Sequence, residues 1–229
     1  MIVAIDGPAG SGKSTVARAL AAREGLTYLD TGAMYRAVTC AALERGLDTA
    51  DAEAMGALAR ELTIAFSAGE TGPAIAIDGE DRTAEIRTPE VDANVSRVAA
   101  VPDVREAMLV LQRSIAEGAD VVAEGRDIGT VVFPAAEVKV FLTADPEARA
   151  HRRAVQRAGG DTATGKQAEA TAAEEQAIKD ELIARDKADS TRAVAPLKPA
   201  DDATHLDSTG MSVDEVCDSI CELMAKARP

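Results

Sequence analysis

Apolar positions along the chain follow two rhythms. Short apolar runs at Ile2–Ile5, Leu26–Leu29, Val121–Ala123 and Val138–Leu142 each give way to a charged or polar residue. Short runs that are mostly apolar, with only Thr27 and Lys139 interrupting them, suit buried strands of a parallel sheet. Between the first two, Lys13–Glu24 carries Ala, Val and Leu at helical spacing, and Met34–Arg45 repeats that pattern. The strand–loop–helix–strand order predicts an α/β fold, a parallel sheet flanked by helices.

The rhythm changes after residue 62. Thr63–Phe66 and Ala74–Ile77 read as short strands around a turn segment, Ala68–Pro73. Asp78-Gly79 is a turn signal, and Arg82–Ile86 reads as a third strand, so a small antiparallel lobe is expected inside the α/β core. Pro89–Glu117 is helical, with a break at Pro102. Asp145-Pro146 opens another helix, Asp as N-cap and Pro at the first helical position. Gly159–Glu175, rich in Ala, Thr, Gly and acid, reads as a mobile lid segment, and Ala177–Ala188 as a helix. His205–Leu206 is a last strand. Ser212 and Glu215 form a capping box for the final helix. The segmentation read from this is 1–62 core, 63–118 inserted lobe with its following helices, 119–150 core, 151–186 lid and flanking helices, and 187–229 core.

Composition narrows the ligand. The net charge of −14 repels a long polyanion such as DNA or RNA, so no nucleic-acid partner is expected. A small phosphorylated ligand remains compatible if arginines cluster locally, although the excess acid also serves plain solubility. Aromatic residues are only 2% of the chain, so a nucleobase would pack between aliphatic groups and arginine planes. Cys40, Cys217 and Cys221 are sparse and odd in number, which suits a reducing compartment. Cys217 and Cys221 lie four apart, but His151 and His205 offer no zinc-ligand spacing, so these are read as packing thiols. The start MIVAIDG lacks a basic leader, and no apolar run nears the ~20 residues of a membrane span. A soluble, cytoplasmic protein without a membrane partner is expected.

The sharpest motif is Gly7-Pro8-Ala9-Gly10-Ser11-Gly12-Lys13-Ser14, followed by Thr15. It fits the P-loop pattern, and it stands between an expected strand and an expected helix. Glycines let the backbone wrap phosphate oxygens, and the helix N-terminus adds positive potential. Lys13 is placed to reach the β- and γ-phosphates of a nucleotide, and Ser14 to ligate Mg²⁺. The Asn-Lys-x-Asp element of guanine-specific GTPases is absent from the sequence. Three arginine segments stand out instead. Asp30–Arg36 joins a strand end to a helix start, Glu124–Asp127 follows the strand Val121–Ala123, and Arg185–Arg192 closes a helix. A solvated helix arginine, a surface ion pair and a salt-bridged helix end are the ordinary readings of the three. Ligands in open α/β sheets gather beyond the carboxyl ends of strands, which favours a binding role for Arg126 and Asp127.

In this order the strings GPAGSGKST, DTGAMYRA, GEDRTAEIRTPEV, SRVAAVPDVRE, AEGRDIGTVVFP, RDKADSTRAVAPL and LDSTGMS span nearly the whole chain. They resemble the bacterial cytidylate kinases. Adenylate kinases share the P-loop but not the string around Ile86–Val91. The resemblance implies a P-loop NTPase-type fold with an inserted monophosphate-binding lobe and a mobile lid. It also implies transfer of the ATP γ-phosphoryl group to CMP and dCMP by a monomeric, Mg²⁺-dependent kinase. On matched positions, Lys13, Arg126, Arg185 and Arg192 would serve catalysis. Arg149 and Arg153 would join the P-loop in binding ATP. Thr31 and Arg36 would serve CMP, Arg36 acting with Arg126 and Arg192 on its phosphate. Ser96, Arg105 and Asp127 would read cytosine, and Asp189 would bond the ribose. The Gly159–Glu175 stretch departs from the family pattern in being longer and more acidic. A kinase of another acceptor, such as UMP, is the alternative enzyme. A non-catalytic nucleotide-binding regulator would leave the arginine segments without a purpose.

Overall fold

The computed structural model describes residues 1–69, 72–160 and 171–228. In chain order the elements are β1 (Ile2–Asp6), α1 (Lys13–Glu24), β2 (Thr27–Asp30), α2 (Thr31–Glu44), α3 (Ala52–Glu61), β3 (Ile64–Gly69), β4 (Gly72–Ile77) and β5 (Glu80–Asp81). Then follow α4 (Pro89–Val98), α5 (Pro102–Ala116), β6 (Val121–Gly125), β7 (Val138–Thr143), α6 (Pro146–Arg157), α7 (Ala172–Thr191), β8 (Thr204–Asp207) and α8 (Val213–Ala227). They form two compact units, one of residues 1–29 with 116–229 and one of residues 30–115.

The first unit is built on a five-stranded sheet in the order β2-β6-β1-β7-β8. β1 lies at its centre, pairing parallel with β6 on one side and β7 on the other. β7 in turn pairs parallel with β8. The register sets Asp6 opposite Gly125, so Gly7 and Arg126 leave the sheet side by side. Val3, Ile5, Val140 and Leu142 of the sheet pack with Val16 and Leu20 of α1 and with Val216, Ile220 and Met224 of α8. Cys217 belongs to this core, as the reading of a packing thiol requires. Ser212 and Glu215 close the expected capping box. Pro146 stands in the first turn of α6, but the Asp145 side chain makes no cap bond.

The helix expected over Ala177–Ala188 is longer at both ends. Thr171 and Glu174 form a capping box that starts α7 at Ala172, inside the stretch expected to be mobile. Most of the remaining lid stretch, residues 161–170, lies outside the described residues.

The second unit pairs helices with a small antiparallel sheet, β3-β4-β5. β3 and β4 continue in register to Gly69 and Gly72, beyond the expected strand ends. At the other end Asp78 and Gly79 have φ of 52° and 86°, the two left-handed residues of a tight hairpin. The third strand is Glu80–Asp81 rather than Arg82–Ile86. Asp81 accepts from the Thr83 backbone N–H at 2.8 Å, turning the chain away, and the Thr83 hydroxyl takes the Ile75 N–H at 3.0 Å. A side chain thus replaces the next ladder partner, and Ile86 is buried on a 3₁₀ turn, Glu85–Arg87. α3, capped by Asp51, has no counterpart among the expected helices. No helix among the described residues is long and apolar enough to cross a membrane.

Candidate active site

β1 ends because its next residue must be glycine. Gly7 has φ of 153°, and a Cβ there would stand 2.1 Å from the Leu142 carbonyl oxygen of β7. The P-loop therefore leaves the sheet against its neighbour's backbone. Gly12 caps α1 in the left-handed region at φ 91°, and no side chain among the described residues closes that helix start. The first-turn N–H groups of a helix are an anion site when left open in this way.

Lys13 is buried inside the loop's curl. Its Nζ donates to the Pro8 carbonyl at 2.7 Å and lies 3.4 Å from the Ser11 hydroxyl. Burial, followed by the positive charge of Arg126, pushes its ammonium down to about 7. An anion placed beside it would restore the charge that burial removes. Mg²⁺ fits the donor set only as a companion of the nucleotide. Among the described residues no group of three or more His, Cys, Asp or Glu could hold a metal. The Ser14 hydroxyl at the start of α1 with phosphate oxygens is the arrangement Mg²⁺ favours.

At the end of β6 the expected arginine cluster is present. Arg126 donates to Asp189 at 2.9 Å, and Arg192 donates to Asp127 at 3.4 Å. Both carboxylates are buried. Burial works to raise the Asp189 pKa, but the guanidiniums of Arg126, Arg185 and Arg192 outweigh it and hold the group below its ordinary value. These are charge-assisted pairs, among the stronger hydrogen bonds a site can hold.

Residues 3–226 match the family model described as cytidylate kinase. The chain belongs to the cytidylate kinase family. It is 48% identical to the cytidylate kinase of Exiguobacterium sibiricum over 221 residues, covering 96% of this chain and 95% of that relative. It is 47% identical to the cytidylate kinase of Limosilactobacillus reuteri (strain DSM 20016), covering 99% and 96%. An uncharacterized protein from Eubacterium ventriosum of known structure shares the fold, with a TM-score of 0.51 at 14% identity over 99% of this chain and 98% of that one.

Four more of the residues that the cytidylate kinase resemblance singles out lie in the second unit. Arg36 on α2 donates to the Ile86 carbonyl at 3.1 Å and pairs with Asp92 of α4. Ser96 stands four residues beyond Asp92, hence on the same helix face. Its hydroxyl oxygen is buried with no hydrogen-bond partner among the described residues. Arg105 donates to the Ala99 carbonyl at 3.2 Å, and its guanidinium carbon lies 5.4 Å from the Tyr35 ring centre. Thr31 is buried in the first turn of α2.

The arginines expected on the ATP side take individual positions. Arg149 is buried against the loop, donating to the Ala9 carbonyl at 2.9 Å and pairing with Asp186. Arg153 donates to Gln156 at 2.7 Å. The arginine over the α1 start is Arg152, which sequence reasoning passed over. It lies 3.7 Å from where a Cβ on Gly12 would be, and it donates to the Ser208 carbonyl at 2.7 Å and hydroxyl at 3.1 Å. Ser208 itself sits 3.0 Å from the Ser11 carbonyl, tying the end of β8 to the P-loop. Asp6 was also missed. Its two carboxylate oxygens take the N–H groups of Ile128 and Gly129 at 2.7 and 2.8 Å, which fixes the turn after Asp127. Burial pushes this carboxyl up to about 6, against those two hydrogen bonds. A charged residue closing an apolar strand was the available signal for Asp6. None marked Arg152, one of four arginines between 149 and 157 on one helix.

Proposed function

We propose that the chain transfers the γ-phosphoryl group of ATP to CMP, and to dCMP, giving ADP and the nucleoside diphosphate. The observation that carries this reading is the pairing of β1 with β6. Two hydrogen-bonded neighbours in one sheet release, from opposed residues, a P-loop and an arginine–carboxylate cluster. A donor polyphosphate and an acceptor phosphate are thereby served from adjacent strand ends, where open α/β sheets bind ligands.

Phosphoryl transfer asks for alignment and charge neutralisation more than for a base. The P-loop N–H groups and Lys13 hold the donor phosphates. Arg149 and Arg153 support the ATP side, and Arg185 stabilises the group in flight with Arg126 and Arg192. Mg²⁺, bound with ATP and touching Ser14, would neutralise charge on the phosphates. Arg36, Arg126 and Arg192 take the acceptor phosphate, and Thr31 completes the CMP set. Asp189, held ionised by its arginines, accepts from a ribose hydroxyl. Ser96, Arg105 and Asp127 read cytosine. An Asp carboxylate accepts from the exocyclic amine of CMP but meets a carbonyl in UMP, which disfavours the latter. In this reading residues 63–118 contribute the monophosphate lobe and 151–186 a lid that excludes water, which would otherwise take the phosphoryl group. A monomer in the cytoplasm completes it.

The test is an acceptor panel with ATP and Mg²⁺, comparing CMP, dCMP, UMP and AMP. CMP and dCMP should turn over with the highest kcat/KM. Preference for UMP or AMP, or no diphosphate product at all, would refute the proposal.

A further inference from the structure

We propose that Asp186 is a positioning residue that docks the P-loop onto α7 and thereby couples ATP binding to the acceptor-side ion pairs on the same helix. This rests on the chain being a kinase of two nucleotides.

The docking is a closed network around one residue. Asp186 accepts from the Ala9 N–H at 3.2 Å. Its other oxygen pairs with Arg149, and the same guanidinium nitrogen donates to the Ala9 carbonyl at 2.9 Å. Both backbone polar groups of Ala9 are therefore held. The Ala9 methyl group is held too, clustered with Ala150 and Ala154 of α6 and Ile178 and Leu182 of α7. Gly10 follows so closely on α6 that a Cβ there would meet the Arg149 Cβ at 3.1 Å. A glycine-rich loop has little conformational preference of its own, so these contacts select the curl that the phosphates use.

The same helix then reaches the acceptor cluster. Three residues after Asp186, Asp189 accepts from Arg126, and three further on Arg192 donates to Asp127. Asp186 and Asp189, three apart on α7, share a helix face, and Arg192 is the extended residue that caps its end. One stretch of chain thus carries the loop contact and both acceptor-side ion pairs. A ligand that rearranges either end biases the other, and the bias must be reciprocal.

Calorimetric titration of ATP with Mg²⁺ into wild type and Asp186→Asn tests the docking. Loss of the charged acceptor should weaken ATP binding about tenfold, with the thermal midpoint little changed. Equal or tighter binding overturns it. Tighter binding would mean that the carboxylate merely stands in for phosphate and is displaced by it. Should Asp186→Asn fail to fold, Asp186→Glu, which keeps the charge but moves it off the Ala9 N–H, must give the same weakening. Coupling is read from the KM for CMP at low and at saturating ATP. The wild-type KM should fall as ATP saturates, and in Asp186→Asn the ratio should approach one while kcat stays within about threefold of wild type. A ratio of one in wild type, or an unchanged ratio in the variant, overturns the coupling. A wild type that makes no CDP refutes the CMP reading alone, and the ATP titration then decides the role of Asp186 by itself.

Discussion

In the proposed reading, the P-loop and the cluster at the end of β6 bind phosphate in opposite ways. The P-loop does it with main chain. Its shape depends on glycines at Gly7 and Gly12, its charge comes from a helix start, and its one cation, Lys13, is kept short of full charge by burial. The β6 cluster does it with side chains. Arg126 pairs with Asp189 and Arg192 with Asp127. The first is a rigid mould for one kind of group. The second is an exchangeable set, suited to telling one acceptor from another.

The largest expected effect strikes the mould. Gly7→Ala drives a Cβ into the Leu142 carbonyl at a backbone angle that L-residues rarely adopt. It should cost more than about 3 kcal/mol of stability, measured by thermal or urea unfolding. A change below about 1 kcal/mol would show the loop to be more pliant than its contacts imply.

Lys13→Ala comes next. Activity should fall about 10²- to 10³-fold, while the ligand-free protein stays folded. The Lys13 ammonium has its folded pKa lowered to about 7 from 10.5. Between those values the unfolded chain holds a proton that the native state has released. Stability of the ligand-free protein should thus rise with pH from about 7 towards 10, by at most about 1.4 kcal/mol per pH unit from this residue. Below about 7 both states are protonated and the slope from Lys13 vanishes. Comparing unfolding of wild type and Lys13→Met at pH 7, 8 and 9 isolates it. Identical slopes would place the lysine in water.

Asp127→Ala probes the exchangeable set. Loss of a charge-assisted hydrogen bond of about 1.5–3 kcal/mol predicts a ten- to hundredfold lower kcat/KM for CMP. UMP makes no such bond, so its kcat/KM should fall less or rise. Because Asp127 also accepts from Arg192, equal losses for both acceptors would reduce it to a support for that arginine.

Ser208→Ala should have the smallest effect. It removes a hydroxyl between Ser11, Thr143 and Arg152 but leaves Arg152 bonded to the Ser208 carbonyl. Roughly 1 kcal/mol is expected, seen as an ATP KM raised about fivefold with the CMP KM unchanged. A rise in both KM values would mean that the β8 end supports more than the donor loop.

The P-loop was legible as a sequence because its glycines, Lys13 and Ser14 fall within eight consecutive residues. The α1 boundaries, the Asp78-Gly79 hairpin and the Ser212–Glu215 cap were legible for the same reason. Arg126 and Asp127 were placed by the rule about strand ends. The helix α3 was overlooked, although Asp51 before it is an N-cap signal. The third strand of the small sheet was misplaced because Thr83, eight residues from Ile75, takes over a ladder bond through its side chain. No propensity encodes that exchange.

The sequence by itself therefore determined the family, the α/β class and the donor loop, because periodicity, glycine spacing and ordered motifs are local properties of a chain. Only the tertiary structure decided which charges belong together. That Arg126 pairs with Asp189, 63 residues away, that Asp6 holds the turn after Asp127, and that Arg149 and Asp186 grip Ala9 from two helices are consequences of strand order and helix packing. Electrostatic pairing depends on distance in space, and the chain acquires those distances only when the sheet closes around β1.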